Sequence, residues 1–273
     1  MTTPVKLGAF AAILALVFGA AALAGGAVGR IHDPAAVAKD EMSMAADPIR
    51  GLAVSENGLT LDLARRSARP HTPFRLSFRI LGEDGRAVRA FDVEHTKRMH
   101  LIVVRRDLTD FQHLHPVLRA DGTWTTTLAA HEAGTYRVFA DFSVDGRPTT
   151  LADDLQVDGA VRSHALPAAA KTAATDGFRV RLTDGTVRAG DESRLTFDVT
   201  RDGEPVSLQD YLGAKGHLVA LREGDLAFLH VHPDANSLRF EASFPHAGSY
   251  RLFLQFRVAG HVHTAAFTLE VAR

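Results

Sequence analysis

Two stretches of this chain spell the same phrase. The first runs Met99-His100-Leu101-Ile102-Val103-Val104-Arg105-Arg106-Asp107-Leu108 and on to Phe111-Gln112-His113-Leu114-His115-Pro116. The second runs Gly216-His217-Leu218-Val219-Ala220-Leu221-Arg222-Glu223-Gly224-Asp225-Leu226 and on to Phe228-Leu229-His230-Val231-His232-Pro233. In each, a histidine opens an apolar run of strand length, an Asp-Leu turn follows, and His-x-His-Pro closes the unit at the same spacing. Self-similarity at this distance marks a duplication, so the chain is expected to hold two domains of like architecture. The match reaches past the histidines: Ala133-Gly134-Thr135-Tyr136-Arg137 answers to Ala247-Gly248-Ser249-Tyr250-Arg251.

Short apolar or alternating runs with turn signals between them fill both halves. In the first, Leu59–Leu63, Phe74–Ile80, His100–Val104, Trp124–Leu128 and Tyr136–Phe142 read as strands, separated by Asp84-Gly85, Asp121-Gly122 and Asp145-Gly146. Phe178–Leu182, Arg194–Val199, His217–Leu221, His230–His232 and Tyr250–Phe256 repeat that order. No segment carries a helical stripe. The expectation is all-β: two tandem immunoglobulin-like antiparallel β-sandwich domains, 51–158 and 176–273, joined by an alanine-rich linker, 159–175. A tyrosine just after a glycine turn, as at Tyr136 and Tyr250, suits the corner tyrosine of such folds.

Ahead of the domains, Leu7 to Val28 carries no charge and is flanked by Lys6 and Arg30. At about 1.5 Å per residue such a helix crosses a hydrocarbon core of about 30 Å. Residues 1–29 therefore read as a hydrophobic signal-anchor helix with both domains outside, or as a signal peptide cleaved near Ala22-Leu23-Ala24, which would leave the protein secreted. Residues 30–50 read as a spacer, in which Met42 and Met44 offer sulfur ligands but no fixed geometry.

The 14 histidines are the unusual feature of the composition. Residues i and i+2 of a strand face the same way, so His113 and His115 project together, as do His230 and His232. A proline after each pair puts it at a strand end or sheet edge. His100 and His217 open neighbouring strands, close enough through the Asp-Leu turn to join the pairs. Three imidazoles meeting at about 2.0–2.1 Å from an ion suit Zn²⁺ or Cu²⁺, with one position open. The expected metal ligands are thus His100, His113 and His115 in one domain and His217, His230 and His232 in the other. His95 and Met99 are replaced by Leu212 and Gly216 in the second copy, so any role they have belongs to the first. The pair His261 and His263 could extend the second site. The same histidines also fit a structural reading, in which they trim the edges of a surface module that binds a protein partner.

Other classes are excluded or unsupported. A formal net charge of -1 gives no electrostatic footprint for nucleic acid. The absence of cysteine removes disulfides, thiolate sites and cysteine nucleophiles. No nucleophile elbow, phosphate loop or His-Glu-x-x-His is present, so an enzyme is not expected.

The phrase His-Leu-Ile-Val-Val, then Asp-Leu, then Phe-x-His-Leu-His-Pro, carried by residues 100–116, resembles exported bacterial His-rich domains of the YtkA-like and heavy-metal-binding type. The resemblance covers both copies. It implies an extracytoplasmic β-sandwich that handles metal, copper first and zinc second, held to the membrane by its N-terminal helix and passing metal to a protein partner. It points to the same six histidines. Binding through neutral imidazole is expected to weaken as pH falls through about 6.5.

Overall fold

The computed structural model describes residue 18 and residues 49–184, 187–229 and 231–273. Apart from Phe18, the expected anchor lies outside the described residues, as do Met42 and Met44. Among the described residues no helix is long and apolar enough to cross a membrane.

From residue 49 onward the described residues form strands and turns. In the first half one sheet orders Ser55–Glu56, Leu59–Leu63, Phe74–Leu81, Trp124–Leu128 and Val117–Leu118. The facing sheet orders Ser67–Ala68, Arg147–Val157, Gly134–Val144, His100–Arg105 and Gln112–Leu114. In the second half Thr172–Thr175, Phe178–Asp184, Glu192–Arg201, Arg239–Ser243 and Val231–Pro233 face Phe228–Leu229, Gly216–Arg222, Gly248–Val258 and His261–Val271. The named ladders are antiparallel except that of Ser67–Ala68, which runs parallel to the end of Arg147–Val157. Each pair of sheets shares one core: Phe78, Ile80 and Trp124 meet Leu101, Val138 and Leu155, and Phe197 and Phe240 meet Leu218, Leu252 and Phe267. Both halves are therefore β-sandwiches.

Local details repeat along with the strands. The hydroxyls of Tyr136 and Tyr250 donate to the carbonyls of Glu132 and His246, each at 2.9 Å, so both tyrosines pin the corner before their strand. Each long hairpin turns through two residues of positive φ, Asp145 and Gly146 (53° and 71°) or Ala259 and Gly260 (49° and 83°), the handedness that matches strand twist. The turns at residues 94–97 and 211–214 close through the same paired backbone contacts.

The strands Arg147–Val157 and His261–Val271 were not expected. They carry Asp153, Asp154 and Glu270, and only pairing along the whole preceding strand makes them regular. The expected linker also ends early, because Thr172–Thr175 pairs with Phe178–Arg181 as an edge strand of the second sandwich. Its four residues are too short to show alternation.

The strands that carry the repeated phrase are buried on both faces, as their unbroken apolar runs require. Leu101 and Val103 enter the first core, while Ile102 and Val104 enter a third cluster with Phe139, Val219, Leu221, Phe228 and Phe253. That third cluster is where the two sandwiches meet, sheet against equivalent sheet, within the unit that runs from Asp47 to Arg273. Phe111 and Phe253 stack across it with ring centres 4.0 Å apart. The linker crosses its margin through Leu166, and the carbonyl of Arg50 accepts from the amide of Phe228 at 3.0 Å.

Candidate metal centre

Strand parity decides where the histidines point. His100 shares a face with Ile102 and Val104, and His217 with Val219 and Leu221, so both open onto the contact between the sandwiches. His113 lies directly opposite Ile102 in register and takes the same face. His115 follows two residues later, where the chain leaves one sheet for the other at Pro116.

The rings converge. His100 and His113 have ring centres 5.2 Å apart, His100 and His115 5.2 Å, and His113 and His115 4.7 Å. One ring nitrogen from each lies within 4.8 Å of the other two. Three imidazoles bound tetrahedrally at about 2.0–2.1 Å to one ion have ring centres about 5 Å apart, so the set has the dimensions of such a site. His115 Nε2 is buried and has no hydrogen-bond partner. His100 Nε2 faces the Glu94 carbonyl at 3.2 Å, His113 Nδ1 faces Gln255 Oε1 at 2.6 Å, and His100 Nδ1 and His113 Nε2 face each other at 3.0 Å.

His217 joins this cluster from the other domain. It was expected in a separate site with His230 and His232. Its ring instead lies 5.5 Å from that of His100, nearly parallel at 7°, and 4.8 Å from that of His113 at 29°. Stacked rings keep their in-plane nitrogens on separate planes, so His217 walls the group without converging on it. His95, from a turn of positive φ, stands 6.1 Å from His100 and 5.9 Å from His217, ring to ring. His230 lies outside the described residues, and of His232 only the backbone pairing with Glu241 is described. His263 is elsewhere, bonded to Asp176 at 2.8 Å and packed on Phe178. Met99 is buried in the first core, which leaves its sulfur no part in the cluster.

Burial keeps these imidazoles neutral. Desolvation, helped by the neighbouring histidines, lowers His100 to about 4 and His113 to about 3, while desolvation and Lys97 lower His115 to about 4. His217 is held well below the ordinary histidine value for the same reason. Neutral imidazole is the form that binds metal.

Two residues of this site carried no motif. Asp141 pairs with His100 in register, and Gln255 pairs with His217 at the equivalent place in the repeat. Burial pushes Asp141 up to about 6, against the hydroxyl of Thr150, which donates to it at 2.6 Å. The signal that was there to read is one polar residue at the same place in two otherwise apolar runs, 138–142 and 252–256.

The model of a family described as a domain of unknown function, DUF8832, matches residues 53–159 and again residues 172–273. The chain belongs to this DUF8832 family. No curated protein matches it. Among solved structures, this DUF8832 chain is similar to FdeC, an Escherichia coli adhesin, at 16% identity over 81% of this chain and 66% of that one, with a TM-score of 0.29. Similar too are InvD of Yersinia pseudotuberculosis (13%, 80% and 58%, TM-score 0.28) and the mouse nectin-like molecule 4 ectodomain (15%, 79% and 64%, TM-score 0.21). The chain spans less than two thirds of the length of each of these three proteins.

Proposed function

We propose that this is an exported metal-binding protein, anchored by its N-terminal hydrophobic segment or secreted after its cleavage, with two immunoglobulin-like domains, the first of which holds one metal ion where it meets the second. His100, His113 and His115 are its ligands. It buffers metal or passes it to a protein partner, and it carries out no reaction on a substrate.

The observation that carries this reading is the trio itself: three neutral imidazoles with nitrogens within 4.8 Å of one another, one of them a buried Nε2 with no partner. A buried polar atom left unpaired costs about 1–3 kcal/mol, and a cation bound at that nitrogen would remove the cost. Copper is the first choice, because nitrogen sites favour Cu²⁺ over Zn²⁺ in the Irving–Williams order, and zinc is the second. Export rests on the charge-free run from Leu7 to Val28, and the resemblance to heavy-metal-binding domains points the same way.

The test is titration of Cu²⁺ and Zn²⁺ into the full-length protein in detergent, followed by calorimetry, for the wild type and for His113→Ala with His115→Ala. The expected result is tight binding of one ion per chain at this centre, lost in the double variant. Uptake unchanged in that variant would end the reading in favour of a surface interaction module with structural histidines.

A further inference from the structure

The trio comes entirely from the first domain, yet one of its ligands is oriented from the second. Gln255 sits in the Gly248–Val258 strand, is 6% exposed, and reaches across the contact to put Oε1 2.6 Å from His113 Nδ1. Its amide nitrogen donates to Thr264 Oγ1 at 3.2 Å on the adjacent strand, which turns the oxygen toward the histidine. A carbonyl oxygen only accepts, so His113 carries its proton on Nδ1 and keeps the lone pair on Nε2. The Glu94 carbonyl, 3.2 Å from His100 Nε2, competes for the one His100 proton with His113 Nε2, 3.0 Å from Nδ1.

The consequence lies between the two rings. Nδ1 of His100 and Nε2 of His113 stand 3.0 Å apart: His100 donates to His113 there when its proton is on Nδ1, and two lone pairs face one another when that proton is on Nε2 toward Glu94. The lone-pair contact is repulsive when empty and favourable once a cation sits against both. Tetrahedral ligands at about 2.0–2.1 Å from an ion are about 3.3 Å apart, close to this separation.

We propose that Gln255 is a positioning residue for the metal centre, fixing the His113 tautomer from the opposite domain, so that the centre is complete only when the two sandwiches are docked. The proposal rests on the metal-binding reading above and adds to it the partner that orients the ligand. A donor such as lysine at position 255 would select the opposite tautomer. Glutamine selects the Nδ1–H form with a neutral acceptor, whereas the equivalent residue of the first domain, Asp141, bonds Thr150. Outer partners of metal-bound histidines act in this way generally, orienting the ring and raising its basicity, and their loss lowers affinity by about 10–100-fold.

The test compares full-length wild type with Gln255→Leu, Gln255→Glu and His113→Ala, using Zn²⁺ as the probe in competition with a chromophoric chelator. The histidine tautomers of the metal-free protein are read from long-range ¹H–¹⁵N spectra. Expected are an Nδ1-protonated His113, an affinity about 10–100-fold lower in Gln255→Leu, and recovery to within a few-fold in Gln255→Glu, which still accepts the Nδ1 proton. If His113→Ala loses Zn²⁺ while Gln255→Leu binds as wild type does, the positioning role is wrong and the metal centre stands. If His113→Ala itself binds unchanged, the metal reading falls and takes this one with it. An Nε2-protonated His113 in the wild type overturns the proposal even if the leucine variant fails to fold. So does a Gln255→Leu loss that glutamate does not restore.

Discussion

Acid should loosen the metal-free protein, and the structure sets how much. His100 titrates near 6.5 when unfolded and at about 4 when folded, because burial disfavours its charged form. The unfolded chain thus binds more protons, so stability is fully present above about pH 6.5, falls as pH drops through that value, and has lost this contribution by about pH 4. At pH 5, His100 alone costs about 2 kcal/mol, at 1.36 kcal/mol per pKa unit. His113, lowered to about 3, adds a similar amount, and His115, lowered to about 4, adds to it, though rings in contact do not sum. Asp141 works in the opposite sense. Raised to about 6, it is protonated more readily in the folded state and returns about 1 kcal/mol over the same interval. The net expectation is a loss of about 2–4 kcal/mol between pH 7.5 and pH 5. Urea unfolding of the chelator-treated full-length protein, followed by fluorescence of Trp124 across that interval, measures it. In a variant with His100, His113, His115 and His217 all changed to glutamine, the loss should vanish or reverse, since Asp141 remains. Equal pH slopes in wild type and variant would refute the assignment of the loss to this cluster. The same lowering changes the earlier expectation for metal: protons should compete with Cu²⁺ or Zn²⁺ near pH 4 and not near 6.5.

Other outcomes follow from the scaffold. Phe253→Ala removes a ring stacked at 4.0 Å on Phe111 between the domains, and should cost about 3–5 kcal/mol in denaturant unfolding. Gly216→Ala would place a Cβ 2.4 Å from Leu238 and 2.8 Å from the Gln255 carbonyl. It should cost about 1–3 kcal/mol and, by moving Gln255, weaken Zn²⁺ binding in the chelator assay. Ala259→Asn places a residue tolerant of positive φ in a turn where φ is 49°, and calorimetry should show a melting temperature at or above that of wild type. Tyr136→Phe and Tyr250→Phe should each cost about 1.5–3 kcal/mol in denaturant unfolding, because beside its corner carbonyl each hydroxyl also meets a charged side chain, Asp110 or Arg222.

Much of this protein is written locally. The duplicated phrase declares two like domains, the Asp-Gly pairs declare turns, and the apolar runs at residues 101–104 and 218–221 declare strands. Period two and turn chemistry are properties of a few adjacent residues, so the all-β fold and the convergence of His100, His113 and His115 follow from them. What covers the second face of those strands is another matter. That the two equivalent sheets cover each other depends on the shape and pairing of surfaces more than a hundred residues apart, and only tertiary packing decides it. The docking carries His217 into the first domain's cluster and sets Gln255 against His113. It also strips water from the imidazoles, lowering their pKa values. A strand's pattern tells which side chains share a face; it does not tell what that face will meet.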